Sequence, residues 1–270
     1  MVGKGVRRGS GWPHGRASAA TGSVKGGVDF RSGPTEREAA DVASILGGLR
    51  ASSALASSST LERARPGLLG CDEATALWFL RDRGGDVAEA SAKLGRSLSW
   101  RAGVNEGREV DVGSDVGLEA VAGKSYVHDR ADSQGRPVVC IVAAKHAQGE
   151  YPIESSVKLT VQRVEAAISQ AHADENTDGT FLAIFDLRGF GPKNFDLELV
   201  KFLIDVLYRY YPRRLHRCLL VGAPFAFRPV WAVVKPLLKS YASLVTFEDP
   251  GEATARKYFA SASDAPPALL

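Results

Sequence analysis

The stretch Tyr210-Tyr211-Pro212-Arg213-Arg214-Leu215-His216-Arg217 decides the fold of this chain because it separates a helical pattern from a buried-strand pattern. Before it, residues 199–210 place apolar side chains at helical spacing on one stripe, which predicts a helix. Pro212 lacks a backbone N–H and ends that helix. After it, the continuous apolar run 218–222 has the length of a strand that is buried on both faces. The sequence therefore predicts a helix, a turn and a buried strand in that order.

The next segment, residues 228–238, is predicted to form a helix with more apolar surface than one neighbour can cover. Pro229 suits the first turn of this helix, where a missing N–H breaks no hydrogen bond. A helix that is apolar on several faces is buried between two apolar layers. Periodicity alone favours two protein layers, and the alternative is that an acyl chain supplies the second layer. The apolar residues are Val230, Trp231, Val233, Val234, Leu237 and Leu238.

An α/β body is predicted from short apolar runs that alternate with helical patterns. Residues 138–143, 181–187 and 218–222 are runs of the kind found in strands buried on both faces, and residues 245–247 indicate a further strand. Between the first two runs, residues 155–171 carry an apolar stripe at helical spacing. Strands that alternate with helices favour a parallel sheet with right-handed crossovers. The predicted fold class is therefore α/β, with a mostly parallel sheet flanked by helices.

A small all-helical subdomain is predicted over residues 34–105. Thr35 followed by Glu38 is a capping-box pattern, in which each side chain satisfies a backbone N–H of the other residue. Asp72 and Asp86 each precede an apolar helical pattern and are suited to cap it. These signals predict one amphipathic helix followed by two short antiparallel helices.

Three segments have compositions that predict no packed structure. Residues 1–33 form a basic, glycine- and serine-rich tail that we expect to be disordered. Its composition is shared by organelle transit peptides; the alternatives are a disordered cytosolic tail or an error in the gene model. Residues 51–60 are a serine- and alanine-rich linker, and residues 261–270 are expected to be a loose end.

Composition narrows the class of protein. The 34 basic and 31 acidic residues leave a net charge of +3, too small to make nucleic acid the expected partner. The odd number of cysteines, Cys71, Cys140 and Cys218, implies no disulfide framework and a reducing compartment. No uninterrupted apolar stretch reaches the ~20 residues that a membrane span needs, so we expect any membrane contact to be peripheral.

Residues that would carry enzymatic chemistry are not in recognisable patterns. The turn 189–194 superficially resembles a dinucleotide-binding loop, but an asparagine replaces its third glycine and a proline intrudes. The sequence has no G-x-S-x-G pentad. Its histidines are not at metal-ligand spacing. We therefore expect no enzyme, no metal site and no cofactor. The histidines are His14, His128, His146, His172 and His216.

Several sequence motifs follow one another along the second half of the chain. They are Phe181-Leu182-Ala183-Ile184-Phe185-Asp186-Leu187-Arg188-Gly189-Phe190, the Tyr-Tyr-Pro-x-Arg-Leu sequence of residues 210–215, Ala223-Pro224-Phe225, and Trp231-x-x-x-Lys235-Pro236-Leu237-Leu238. In this order they resemble the CRAL-TRIO (Sec14-like) lipid-binding domain. Upstream, residues 132–139 resemble the hairpin that opens that domain, and residues 76–101 resemble the helical subdomain that precedes it. The resemblance covers about residues 71–250.

The resemblance implies a lipid cradle over residues 115–255 and a function without catalysis. Such a protein binds a phospholipid or other hydrophobic small molecule and moves it between membranes, which it contacts transiently from the cytoplasm. The helix after the Ala-Pro-Phe turn is the gate of the cradle. The alternative is a protein-interaction or regulatory module on the same fold with a vestigial pocket. No cofactor and no nucleic acid partner is implied.

Large apolar residues on the two helices around the Tyr-Tyr-Pro turn are the candidates for the wall and gate of the cradle. The lipid-binding candidates are Phe202, Val206, Tyr210, Phe225, Phe227, Val230, Trp231, Val234 and Leu238. Basic residues near the gate are candidates for contact with a membrane or a lipid headgroup, and the alternative is a solvated face. They are Arg213, Arg228, Lys235 and Lys239.

Two positions depart from the family members that bind phosphatidylinositol. The residue after Tyr-Tyr-Pro is typically glutamate in those members, and here it is Arg213. A lysine that follows the gate helix in those members corresponds to about Leu244. Exchange of a carboxylate for a guanidinium changes which headgroup atoms the site can bind. These two departures argue against phosphoinositide exchange of the kind that those members perform, and the sequence leaves the identity of the lipid open.

Overall fold

The computed structural model describes residues 28–51, 69–173 and 177–270. Most of the predicted basic tail, including His14, and the serine- and alanine-rich linker lie outside these residues. The described helices are α1 (Glu36–Ala51), α2 (Glu73–Asp82), α3 (Val87–Gly103), α4 (Leu118–Val121), α5 (Ile153–Ala173), α6 (Leu197–Asp205), α7 (Phe227–Leu238) and α8 (Glu252–Tyr258). The described strands are β1 (Ser125–Val127), β2 (Val138–Val142), β3 (Phe181–Asp186), β4 (Leu215–Val221) and β5 (Val245–Glu248).

The five strands form one sheet in the order β1-β2-β3-β4-β5. β1 is antiparallel to β2, and the other neighbours are parallel. In the centre of the sheet, Cys140 pairs with Ile184, and Ile184 pairs with Leu219. The predicted α/β fold with a mostly parallel sheet is thus confirmed. Because β2 to β5 are parallel, their carboxyl ends lie at one edge of the sheet, where the loops that follow them meet.

The second face of the sheet is covered by the C-terminal segment, which corrects the expectation of a loose end over residues 261–270. Leu269 is completely buried, and its carbonyl accepts the N–H of Gly251 at 2.8 Å. Arg188 Nη2 donates to the carbonyl of Pro267 at 2.8 Å. Strands that are apolar on both faces need cover on both. Phe259 and the residues Ala262, Ala265, Ala268 and Leu269 of this segment pack against the sheet. Their partners on the strands are Val138, Cys140, Leu182, Ile184, Leu219 and Val221.

The helices α1 to α3 begin at the predicted caps. The N–H of Thr35 donates to Glu38 Oε2 at 2.9 Å, and the N–H of Glu38 donates to Thr35 Oγ1 at 3.2 Å, so the capping box is confirmed. Asp72 and Asp86 each accept the N–H of the third residue of the helix that follows, at 2.9 and 2.8 Å. The three helices share one continuous core with α5 and the sheet.

A buried ion pair joins α3 to α5. Arg101 is completely buried, and its Nε and Nη2 donate to the two carboxylate oxygens of Glu165 at 2.8 and 3.0 Å. The phenol of Tyr211 donates to the same carboxylate at 2.8 Å. Burial holds the pKa of Tyr211 well above its usual range, so the phenol keeps the proton that it donates. The Tyr-Tyr-Pro turn is therefore fixed against the N-terminal helices.

Candidate functional site

An apolar cavity of about 190 Å³ lies between the first face of the sheet and the helices α6 and α7. The sheet contributes Ile141, Phe185, Cys218, Leu220 and Val245. Successive side chains of a strand point to opposite faces, which explains why Cys218 and Leu220 line the cavity whereas Leu219 and Val221 pack against the C-terminal segment. The continuous apolar run of β4 thus contributes side chains both to the cavity and to the core under the C-terminal segment.

The opposite wall consists of apolar residues, spaced three or four apart, on α6, on the helical segment Val206–Tyr210 that extends it, and on α7. None of the residues of α6 is buried, and in α7 only Phe227 is. Apolar helices that pack on a complete protein core bury most of this stripe. These two helices therefore leave apolar surface beneath them that the protein itself does not fill. The helical wall residues are Leu199, Val200, Leu203, Ile204, Leu207, Phe227, Val230, Trp231, Val234 and Leu238.

Aromatic contacts anchor the first half of α7 to the sheet side of the cavity. The ring centroids of Phe227 and Phe190 are 5.3 Å apart, and those of Trp231 and Phe247 are 5.1 Å apart, both edge to face. The second half of the helix contains Pro236, which has no N–H to donate within the helix. The first half is thus the better anchored part of α7.

The structure places five of the predicted lipid-binding residues on the cavity: Phe227, Val230, Trp231, Val234 and Leu238. Four others lie elsewhere.

Tyr210 stacks on Trp100 of α3 with centroids 3.7 Å apart, and Phe202 lies 6.4 Å from the same ring. Val206 is completely buried in the core, and Phe225 is 77% exposed. Contact with the N-terminal helices turns the Phe202, Val206 and Tyr210 face away from the cavity.

The lipid-binding candidates chosen from the sequence did not include the residues of α6 and its extension Val206–Tyr210 that line the cavity. Leu199, Leu203 and Leu207 belong to the predicted stripe, and Val200 and Ile204 lie beside it. The available signal was that α6 is apolar on two adjoining faces. One of these faces meets α3, and the other meets the cavity.

A polar group of residues closes one end of the cavity. His146 follows β2, and Asn194 and Asp196 follow β3, so the topology brings all three to the carboxyl edge of the sheet. His146 Nε2 lies 3.4 Å from Asp196 Oδ2, and Asn194 Nδ2 donates to the carbonyl of His146 at 2.6 Å. Burial, and then the nearby Lys124 ammonium, hold the pKa of His146 below its usual value. The ring is therefore neutral at neutral pH.

Arg213, at the position where phosphatidylinositol-binding members have glutamate, is held by protein groups. Its Nε lies 3.3 Å from the buried carboxylate of Asp82, and its N–H donates to Tyr241 Oη at 3.2 Å. The neighbouring Arg214 is buried and lies over the Trp78 ring at 3.3 Å. Neither arginine lines the cavity.

The other predicted basic contacts lie on or beside α7. Lys235 is exposed. Arg228 lies over the Phe225 ring at 4.9 Å, and Lys239 Nζ lies 5.9 Å from the Tyr208 ring centroid. These three residues lie outside the cavity, on the solvent side of its helical wall.

The fold and the cavity together define a class, that of α/β proteins with an apolar cleft between a mostly parallel sheet and two helices. The crystal structure of Sfh5 has this fold, with a TM-score of 0.61 and 11% identity over 84% of this chain and 85% of that one. The CRAL/TRIO domain profile matches residues 121–260, which is just over half of the chain. The chain belongs to the CRAL/TRIO domain family, as predicted, and this family supports lipid binding or transfer.

Curated relatives agree with this assignment. The chain is similar to the phosphatidylinositol transfer protein CSR1 of Eremothecium gossypii, with 29% identity over 181 residues, covering 62% of this chain and 40% of the relative. It is also similar to the CRAL-TRIO domain-containing protein C3H8.02 of Schizosaccharomyces pombe, with 30% identity over 186 residues, covering 63% of this chain and 39% of the relative. The chain thus spans about two fifths of the length of these relatives.

Proposed function

We propose that this chain binds a hydrophobic ligand such as a phospholipid in the cavity and carries it between membranes without catalysing a reaction. The observation that carries this proposal is the apolar space beneath α6 and α7, two apolar helices in which only Phe227 is buried. Burial of a ligand there stabilises the complex by about 0.8 kcal/mol per CH₂ group. Membership of the CRAL/TRIO family and similarity to a phosphatidylinositol transfer protein support the same function.

The cavity must widen to take such a ligand, because about 190 Å³ is less than the roughly 300–1,000 Å³ of pockets for drug-sized molecules. The proposed gate is α7. Ala223-Pro224 precedes it, and Lys239 ends it with a positive φ of 49°, so bends are localised at both ends. Outward movement of α7 exposes side chains that are already half-exposed. A bound acyl chain covers them again, which limits the free-energy cost of opening.

The outer side of the gate is proposed to meet the membrane. Phe225 and Val233 are 77% and 47% exposed, and Arg228, Lys235 and Lys239 lie on the same helix or at its ends. Each basic residue near an anionic bilayer contributes about 1 kcal/mol of attraction. Among residues 28–51, 69–173 and 177–270, no helix combines the length and hydropathy that a membrane crossing needs. The proposed contact is peripheral and transient, from the cytoplasmic side.

Native mass spectrometry with lipid extraction tests the proposal on the full chain. Wild type is expected to carry a lipid, or to take one up from liposomes. Trp231→Glu places a carboxylate in the cavity wall and is expected to abolish binding. Ala232→Glu places the same group on the adjacent, exposed position and is the matched control, which should bind as wild type does.

Circular dichroism is the measurement that checks whether both variants are folded. A folded wild-type chain that stays empty and takes up no lipid would contradict lipid transfer. That result would favour a protein-interaction or regulatory module with a vestigial pocket.

A further inference from the structure

The polar end of the cavity is built so that two side chains face the ligand space with hydrogen-bonding capacity left over. Asn194 is not one of them, because its Oδ1 accepts the N–H of Gly191 at 2.7 Å and its Nδ2 donates to the carbonyls of His146 and Ala144. Asn194 therefore holds the loops in place. The side chains of His146 and Asp196 remain, each about one-tenth exposed at 13% and 11%.

The Lys124 ammonium determines which nitrogen of His146 carries the proton. Lys124 Nζ contacts three groups: the carboxylate of Glu119, the hydroxyl of Ser156 at 3.1 Å, and His146 Nδ1 at 3.3 Å. An ammonium group donates three hydrogen bonds and accepts none. His146 Nδ1 is therefore the acceptor of that contact, and in the neutral ring the proton is on Nε2.

The Nε2–H group of His146 is left without a hydrogen bond. The Nε2 atom is buried and has no hydrogen-bond partner among the residues that the structure describes. Asp196 Oδ2 is 3.4 Å away, longer than the roughly 2.7–3.2 Å of an N–H···O bond. The other oxygen of Asp196 accepts the N–H of Leu199 at 3.0 Å, which caps α6. Oδ2 thus keeps its capacity to accept.

We propose that His146 Nε2–H and Asp196 Oδ2 together recognise a hydroxyl group on the hydrophobic ligand. A hydroxyl oxygen beside this pair accepts from Nε2–H, and the hydroxyl hydrogen is donated to Oδ2. One hydroxyl group thus forms a hydrogen bond with each of two atoms that lie 3.4 Å apart. This inference rests on the proposed function and names the chemical class of its ligand. The ligand is an apolar molecule with an uncharged hydroxyl group at the end that reaches His146 and Asp196.

The Asp196 charge and the two unpaired hydrogen-bonding groups disfavour a ligand that presents a polar group other than a hydroxyl at this end of the cavity. Of the three polar residues that line this end of the cavity, Asp196 carries a negative charge and the neutral His146 and Asn194 carry none. The Asp196 carboxylate repels a phosphate placed against it. An alkylammonium would pair with Asp196 but would leave Nε2–H without an acceptor. An ether or carbonyl oxygen would accept from Nε2–H but would give Oδ2 no donor.

Titration calorimetry with three probes of equal chain length tests the pair on the full chain. The probes are decan-1-ol, 1-methoxydecane and decyl phosphate. Wild type is expected to bind the alcohol about three- to tenfold more tightly than the ether, the range that one additional hydrogen bond provides. The phosphate should bind more weakly than the alcohol.

Two variants assign this preference to the pair. Asp196→Asn keeps a good helix cap while replacing a carboxylate oxygen with an amide, and His146→Phe removes the donor and keeps a ring. Asp196→Asn is expected to bind alcohol and ether within about twofold of one another, because the acceptor of the hydroxyl hydrogen is lost. His146→Phe removes the N–H that donates to both probes, so it should weaken the binding of both and leave the preference for the alcohol in place. Val234→Ala, on the apolar wall, is the control: it should weaken both probes and preserve their ratio.

The outcomes separate this inference from the proposed function. Equal binding of alcohol and ether by wild type overturns the hydroxyl pair and leaves lipid binding intact. Tighter binding of decyl phosphate overturns the charge argument and the pair with it. A preference for the alcohol that survives in folded Asp196→Asn, or binding of both probes that is unchanged in folded His146→Phe, overturns the assignment to these residues. Failure of wild type to bind any of the probes, together with an empty mass spectrum after incubation with liposomes, overturns both proposals.

Discussion

Removal of the Glu165 carboxylate should strongly destabilise the fold, because this group accepts hydrogen bonds from Arg101 and Tyr211 in the core. Glu165→Leu leaves the Arg101 guanidinium completely buried, with only the carbonyls of Val104 and Arg108 as acceptors at 3.0 and 3.1 Å. Breaking a buried ion pair in this way costs about 3–5 kcal/mol. At roughly 2–4 °C of melting temperature per kcal/mol for a chain of this size, the expected fall in Tm is about 6–20 °C.

Two companion variants make the result specific to the buried charge. Arg101→Met with Glu165→Leu removes both charges, and since apolar replacement of a buried pair is often neutral, it should recover the part of the lost stability that is due to the unpaired charge. The buried Tyr211 hydroxyl, which also loses its acceptor, should keep the double variant less stable than wild type. Glu252→Gln breaks an exposed pair with Arg256 at 3.2 Å, which should cost less than about 1 kcal/mol.

Urea unfolding followed by tryptophan fluorescence measures the free energy of unfolding of each variant. The reasoning is refuted if Glu165→Leu lies within about 1 kcal/mol of wild type, or if the double variant is no more stable than the single one.

Two further predictions concern stability. The Arg81 guanidinium, as the main hydrogen-bond donor, lowers the pKa of Glu38 from 4.5 to about 2, so Glu38 contributes stability above pH 4.5 that is lost as the pH falls towards 2. Glu38→Gln should therefore flatten the dependence of the urea midpoint on pH between 4.5 and 2, and an unchanged slope would contradict this. Leu269→Ala should cost about 2–5 kcal/mol because Leu269 is completely buried against the sheet, whereas Leu270→Ala, at a 51% exposed position, should cost less than about 0.5 kcal/mol. Equal effects of the two substitutions on the urea midpoint would show that the C-terminal segment does not cover the sheet.

The helices and strands were largely predictable because their signals are local. A strand buried on both faces needs a continuous apolar run, and residues 181–187 and 218–222 are such runs. The caps of α1 to α3 use side chains within three residues of the N–H groups that they accept. Pro212 ends the helical segment before β4 for a reason that lies in one residue, its missing N–H.

The candidate site was only partly predictable, because periodicity shows that a face is apolar but not which neighbour covers it. In α6 and its extension Val206–Tyr210, the face of Phe202 and Tyr210 meets Trp100, and the face of Leu203 meets the cavity. The C-terminal segment of small residues and prolines has no periodic pattern, so its burial was not expected.

The sequence by itself determined the α/β class, the order of the elements and the apolar excess of the gate helix, since each depends on residues a few positions apart. Only the tertiary structure decided the pairing of groups far apart in the chain. Arg101 meets Glu165 across 64 residues, and the parallel sheet brings His146 and Asp196 to one edge through the loops after β2 and β3. The physical reason is that local preference fixes where a strand or helix forms, whereas packing of both faces of the sheet fixes which side chains meet.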